Sequence, residues 1–130
     1  MTACKLIALD ADDLIVVSAH VQEATVRAGD IHWRPQEKRL VVALRRPDWD
    51  EVIVGHADAA PHTAALRFDR VLSCRSRQID LADTASALEL LAIRFEPGTP
   101  PGGQVTLYFA GGAALRLEVE CLECELADLA

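Results

Sequence analysis

Two thiols stand three residues apart in Cys121-Leu122-Glu123-Cys124, the spacing of half a zinc ribbon or of a redox dithiol. His56 and His62 could complete a four-ligand set around a metal ion. A zinc ribbon needs two such pairs, and the chain has one. A redox pair works through a thiolate, which a helix start or a nearby cation favours. Here Glu118, Glu120, Glu123 and Glu125 flank the cysteines, a setting that would disfavour a thiolate. The expectation is therefore that no metal and no cofactor is bound. On this reading Cys121 continues the buried face of Leu117 and Val119, and Cys124 is a small filler past a bulge.

His20, His32, His56 and His62 are candidate general bases, and Ser18, Ser73, Cys74 and Ser76 candidate nucleophiles. None sits in an arrangement that identifies a role: there is no Gly-x-Ser-x-Gly elbow, no His-Glu-x-x-His pair and no phosphate loop. A small histidine- or thiol-dependent hydrolase-like enzyme would need two or more of His32, His56, His62 and Cys74 to meet in one cleft. Gly102-Gly103 and Gly111-Gly112 lead into strands rather than helix starts and read as turn glycines. Glu118 and Glu120 share the outward face of a strand, where carboxylates are solvated or paired.

The arginines are the most suggestive group. Arg34, Lys38, Arg39, Arg45 and Arg46 fall in one short segment, and Arg67, Arg70, Arg75 and Arg77 in another. If their strands are neighbours, Arg45, Arg46, Arg67, Arg75 and Arg77, with Trp49 or Trp33 beside them, form a patch for phosphate, RNA or an acidic protein surface. The competing account pairs these arginines with the acid row of the last strand. If Arg67, Arg75 and Arg77 bind Glu118 and Glu120, the ligand patch fails.

The elements that must position these groups follow from the hydropathy pattern. Leu14, Val17, Val21 and Ala24 repeat at helical spacing over 12–24, with Asp10 or Asp12 available as a cap. Beyond Thr25 the period changes to two, and strands are expected near 25–33, 38–46, 64–76, 88–96, 104–110 and 113–122. Crossover helices find little room; 79–90 is the one place for a short helix. Residues 47–61 read as a long excursion holding a short strand at Val52-Ile53-Val54. In the last hairpin, alternation aligns Val105, Leu107 and Phe109 with Val119, Leu117 and Leu115. That register requires a loop of three or five residues, such as Gly111-Gly112-Ala113.

The fold expected is α+β: one domain over 1–130, with an N-terminal helix packed on a strongly bent, mainly antiparallel sheet of six or seven strands, a roll or partial barrel. A chain of 130 residues, 51% hydrophobic, can hold such a core without metals or disulfides. The formal charge of −7 arises in residues 79–130, where only Arg94 and Arg116 oppose nine acids. Such an acidic protein is a poor general binder of nucleic acid or anionic lipid. Asp10, Asp12 and Asp13 interrupt the apolar start as no secretory signal allows, and apolar runs fall far short of the ~20 residues a membrane helix needs. The expectation is a cytoplasmic protein with four reduced thiols.

Lys5-Leu6-Ile7-Ala8-Leu9-Asp10, Ser18-Ala19-His20, Arg46-Pro47-Asp48-Trp49-Asp50, Phe68-Asp69-Arg70-Val71, Arg75-Ser76-Arg77, Leu91 to Phe95 and Leu117 to Cys121 together make the chain similar to an uncharacterised bacterial family, the domain of unknown function DUF2948. The resemblance spans nearly the whole chain and carries no activity, cofactor or catalytic residue. In the family pattern a bulkier residue stands at the position of Pro47, and residues 52–61 are the least transferable.

The functional expectation is a non-enzymatic cytoplasmic interaction or regulatory module with a protein partner, compatible with a homo-oligomer and with no membrane association. The alternatives are the hydrolase-like enzyme and anionic-ligand or RNA binding through the arginine patch.

Overall fold

The protein is described by a computed structural model covering residues 4–55 and 60–129. The chain begins as a strand, β1 (Lys5–Ala8), and turns directly into α1 (Ala11–His20). Asp10 caps that helix by accepting a hydrogen bond from the Asp13 amide at 2.8 Å. The Asp13 carboxylate reaches back to the Leu9 amide. This reciprocal pair, with Asp12 in the first turn, offsets the β-branched run Ile15-Val16-Val17, which disfavours a helix. Leu14, Val17 and Val21 form the buried stripe.

Seven further strands follow: β2 (Ala24–Arg27), β3 (Ile31–Arg34), β4 (Arg39–Arg46), β5 (His62–Arg77), β6 (Ala87–Pro97), β7 (Gly103–Phe109) and β8 (Ala114–Asp128). All pairings are antiparallel, in the order β1-β8-β5-β4-β2-β6-β7, and β7 returns to β8. Six strands therefore close a barrel, while β1 and β3 extend it along β8 and β4. The expected α+β fold is present, and the expected partial barrel is closed. Closure leaves the six central strands without a long free edge. Helix α1 lies against β1 and β6, where the Ser18 hydroxyl accepts the Ile93 amide at 2.9 Å.

The core is lined by alternate residues of these strands, among them Val26, Leu40, Val42, Leu66, Phe68, Leu107, Leu115 and Leu117. On β5 the inward positions are even up to Phe68 and then move to Val71; on β8 they are odd up to Val119 and then move to Leu122, Cys124 and Leu126. Both switches fall where the β5–β8 register shifts, on either side of Val71. Paired bulges bend the two longest strands together, so each can line both halves of the barrel. Leu72, next to the shift, is turned out to solvent.

Several expectations are corrected. The strand expected over 25–33 is two strands, because Ala28–Asp30 forms a 3-10 turn. Gly29 there donates to the Thr84 carbonyl, and a Cβ on it would come 2.9 Å from the Thr84 side chain. Val52-Ile53-Val54 is not a strand: Trp49–Ile53 is a short helix, α2, in which the Val52 amide bonds the Asp48 carbonyl. Residues 79–86 form turns rather than a helix. The last strand runs on to Asp128 because Glu123 and Glu125 face outward and pair there, while every second residue stays buried.

The β7–β8 loop has three residues, Ala110–Gly112, and the parity expected for the hairpin is present. Its register is two residues tighter: Leu107 faces Leu115 and Val105 faces Leu117. Gly111 and Gly112 both have positive φ, 78° and 81°, so the turn forms around them. Ala113, expected in the loop, is extended and buried.

Candidate functional site

The barrel's outside divides into two electrostatic territories. Around the C-terminal half of β8, cations and acids alternate from strand to strand. Lys5 pairs with Glu125, Glu125 with Arg67 at 2.6 Å, Arg67 with Asp69, and Asp69 with Arg39 at 2.7 Å. Arg39 continues to Glu37, which also meets Arg34. Glu120 is held by Lys38 and Arg70, and Lys38 keeps its carboxyl below the usual carboxylate range. Arg67 thus belongs to an internal network, by way of Asp69 and Glu125 rather than Glu118 or Glu120.

Arg46 also leaves the expected surface patch. Its side chain is buried and makes a fork-to-fork pair with Asp128: Nε to Oδ1 at 2.8 Å, Nη2 to Oδ2 at 2.7 Å. Asp128 further accepts the Cys4 amide, so one carboxylate ties together the ends of β4 and β8 and the residue that leads into β1. The Arg46 hydrogen bond holds the Asp128 carboxyl below its ordinary pKa. Opposite Arg46 on β5, His62 Nε2 lies 2.7 Å from Asp48 Oδ2. Trp49 donates its indole N–H to the Gln22 carbonyl, and Arg45 lines a separate groove of about 530 Å³ with Glu23, Arg27 and Asp30.

Arg75 and Arg77 behave differently. On the outer face of β5, β8, β7 and β6, the register sets Arg75 opposite Arg116, Arg116 opposite Thr106, and Thr106 opposite Arg94. The neighbouring row reads Arg77, Ala114, Tyr108 and Ala92. Arg75, Arg77 and Arg116 therefore share the outer face of β5, β8 and β7, two strand spacings or about 10 Å wide, whereas Arg94 on β6 lies three strands from β5 in either direction round the six-strand barrel, on its opposite side. Among the described residues none of these three has a carboxylate within ion-pairing distance; Arg27, Arg45 and Arg94 share this elsewhere on the barrel, and the other seven cations are paired. The closest row of acids is the next one along, where Glu118 is engaged by Gln104 Nε2 at 2.6 Å. Thr106 points outward yet is only 4% exposed, set among these long side chains. Beside it a hollow of about 220 Å³ opens between Arg75, Arg77, Arg116 and Tyr108, over the small Ala114.

The sequence pattern supplied Arg75 and Arg77 but not Arg94 and Arg116, which lie in the acidic part of the chain. Their outward position between buried neighbours was readable for Arg116, flanked by Leu115 and Leu117; that it faces Arg75 depends on two register shifts in β5. Tyr108, not Trp33 or Trp49, is the aromatic at this face.

The remaining candidates do not assemble. Cys121 is half-buried on the outer side of β8, its thiol toward Glu123, whereas Cys124 is buried with Leu122 and Leu126. The bulge, placed before Leu122 rather than before Cys124, turns the two thiols to opposite faces, so Cys121 does not continue the Leu117 and Val119 face. Burial pushes the Cys124 thiol up to about 12 and that of Cys74 up to about 11. His32 is exposed on β3, His62 engages Asp48, and no hydrogen bond among the described residues joins either to Cys74. His56 lies outside the described residues. Among the described residues there is no group of three or more potential metal ligands.

Fold and site together define a closed antiparallel barrel with a cationic outer face. The chain belongs to the family described as Protein of unknown function (DUF2948), whose model matches residues 4–130. No curated protein and no solved structure matches it. No helix among the described residues is long and apolar enough to cross a membrane.

Proposed function

We propose that the protein is a non-enzymatic interaction module that binds an anionic partner on the outer face of β5, β8 and β7. The observation that carries this reading is the direct cross-strand placement of Arg75 against Arg116 without a carboxylate between them. Like charges directly opposite each other weaken a sheet, and guanidinium forks are suited to carboxylate and phosphate groups. In a chain of net charge −7 these arginines do nothing for solubility, since removing them makes the charge more negative still. An anion seated between them turns the repulsion into two attractions. A cytoplasmic setting is part of this reading, supported by four free cysteines.

Retention on heparin, a sulfated polyanion, tests it. The wild-type protein is expected to be retained at low salt despite its acidity and released as salt rises. Arg75→Gln, Arg77→Gln and Arg116→Gln together should abolish retention, whereas Arg27→Gln, Arg45→Gln and Arg94→Gln together should not. Equal retention of both variants would overturn the proposal.

A further inference from the structure

We infer that the hollow beside Arg75 and Arg116 is a nucleoside monophosphate site, a conclusion that rests on the anion-binding reading and narrows it to a ligand class. The reason is the combination of two rows with different chemistry. In the first, Arg75 and Arg116 sit on adjacent strands with their Cα atoms about 5 Å apart, close enough for both forks to grip one phosphate. In the second, Arg77 and Tyr108 are separated by Ala114, hence by two strand spacings or about 10 Å. The small methyl between two long side chains leaves a slot in which a planar ring can stack on the Tyr108 ring from one side and the Arg77 guanidinium from the other.

The two rows are two residues apart along each strand, roughly 7 Å. That is about the separation of base and 5′-phosphate across a ribose, so one ligand can occupy both. The Thr106 hydroxyl and the Tyr108 phenol line the hollow and supply polar contacts for the sugar and phosphate. An acidic peptide would use the arginines and leave the slot empty. A long nucleic acid would have to run its phosphates past Glu118 and Glu96, in the row next to the arginines.

The full-length protein is titrated with AMP, UMP, adenosine and inorganic phosphate, followed by amide NMR shifts. One or both nucleotides should bind at least tenfold more tightly than phosphate or adenosine, with shifts centred on 75–77, 106–108 and 114–116. Ala114→Leu fills the slot from the outer face and should reduce nucleotide binding to the level of phosphate. Arg75→Ser with Arg116→Ser should remove phosphate binding as well. Nucleotides bound no better than phosphate, or unaffected by Ala114→Leu, would overturn the inference. If heparin retention persists in that case, the anion-binding reading stands alone; if retention is also missing, both fall.

Discussion

Arg46 and Asp128, the last residues of β4 and β8, are joined by two short hydrogen bonds, with side chains only 7% and 4% exposed. The pair shows how this barrel treats five of its eleven arginines: it buries or neutralises them. Removing one partner leaves the other charged and desolvated, the costly outcome for a buried pair.

Asp128→Asn should therefore destabilise the protein by about 3 kcal/mol, the lower bound for such pairs because this one lies at strand ends. In a chain of this length that is a fall in Tm of roughly 10 °C. The double change Arg46→Met with Asp128→Leu should cost less than the single one. Urea unfolding checks both; a single variant as stable as wild type would remove the pair from the account.

The same pair sets an acid limit. Arg46 lowers the folded-state pKa of Asp128 below its unfolded value, so the ionised carboxylate is what the fold prefers. Its contribution is complete above the unfolded value of about 4 and is lost as pH falls below that toward the folded pKa. Wild type should lose stability over that interval, and Asp128→Asn should show a shallower decline.

Thiol chemistry should separate the cysteines. Burial holds Cys74 near 11 and Cys124 near 12, so both remain protonated thiols at about pH 8. Their raised folded-state values contribute stability below the unfolded thiol pKa, and this is lost as pH rises toward the folded values. Two of the four cysteines should react with a disulfide reagent only after denaturant is added. Rapid modification of Cys124 in the native protein would contradict its burial.

Gly111 tests the hairpin that carries Arg116. Its φ is 78° and a Cβ would meet nothing within 4 Å, so substitution acts through the backbone alone. Gly111→Ala should cost about 1 kcal/mol and Gly111→Asn less, because asparagine tolerates the left-handed region. Equal effects in urea unfolding would argue against the turn geometry.

How far the sequence speaks depends on whether a feature is local. The α1 cap at Asp10, the odd hairpin loop and the α+β class follow from residues near each other in the chain. Barrel closure does not, because it needs β7 to meet both β6 and β8, a matter of accumulated twist and of bulges at Val71 and near Glu120. The fate of each arginine was hidden for the same reason. Arg67 and Arg75 sit on one strand with similar neighbours, yet the register shift between them delivers the first to Glu125 and the second to Arg116.

The measurement closest to the central claim is Arg116→Gln, followed at once by thermal unfolding and by heparin retention. If Arg75 and Arg116 are kept face to face for a ligand at the expense of the free protein, removing one charge should raise Tm by about 1–3 °C while weakening retention. A lower Tm, or retention equal to wild type, would contradict it.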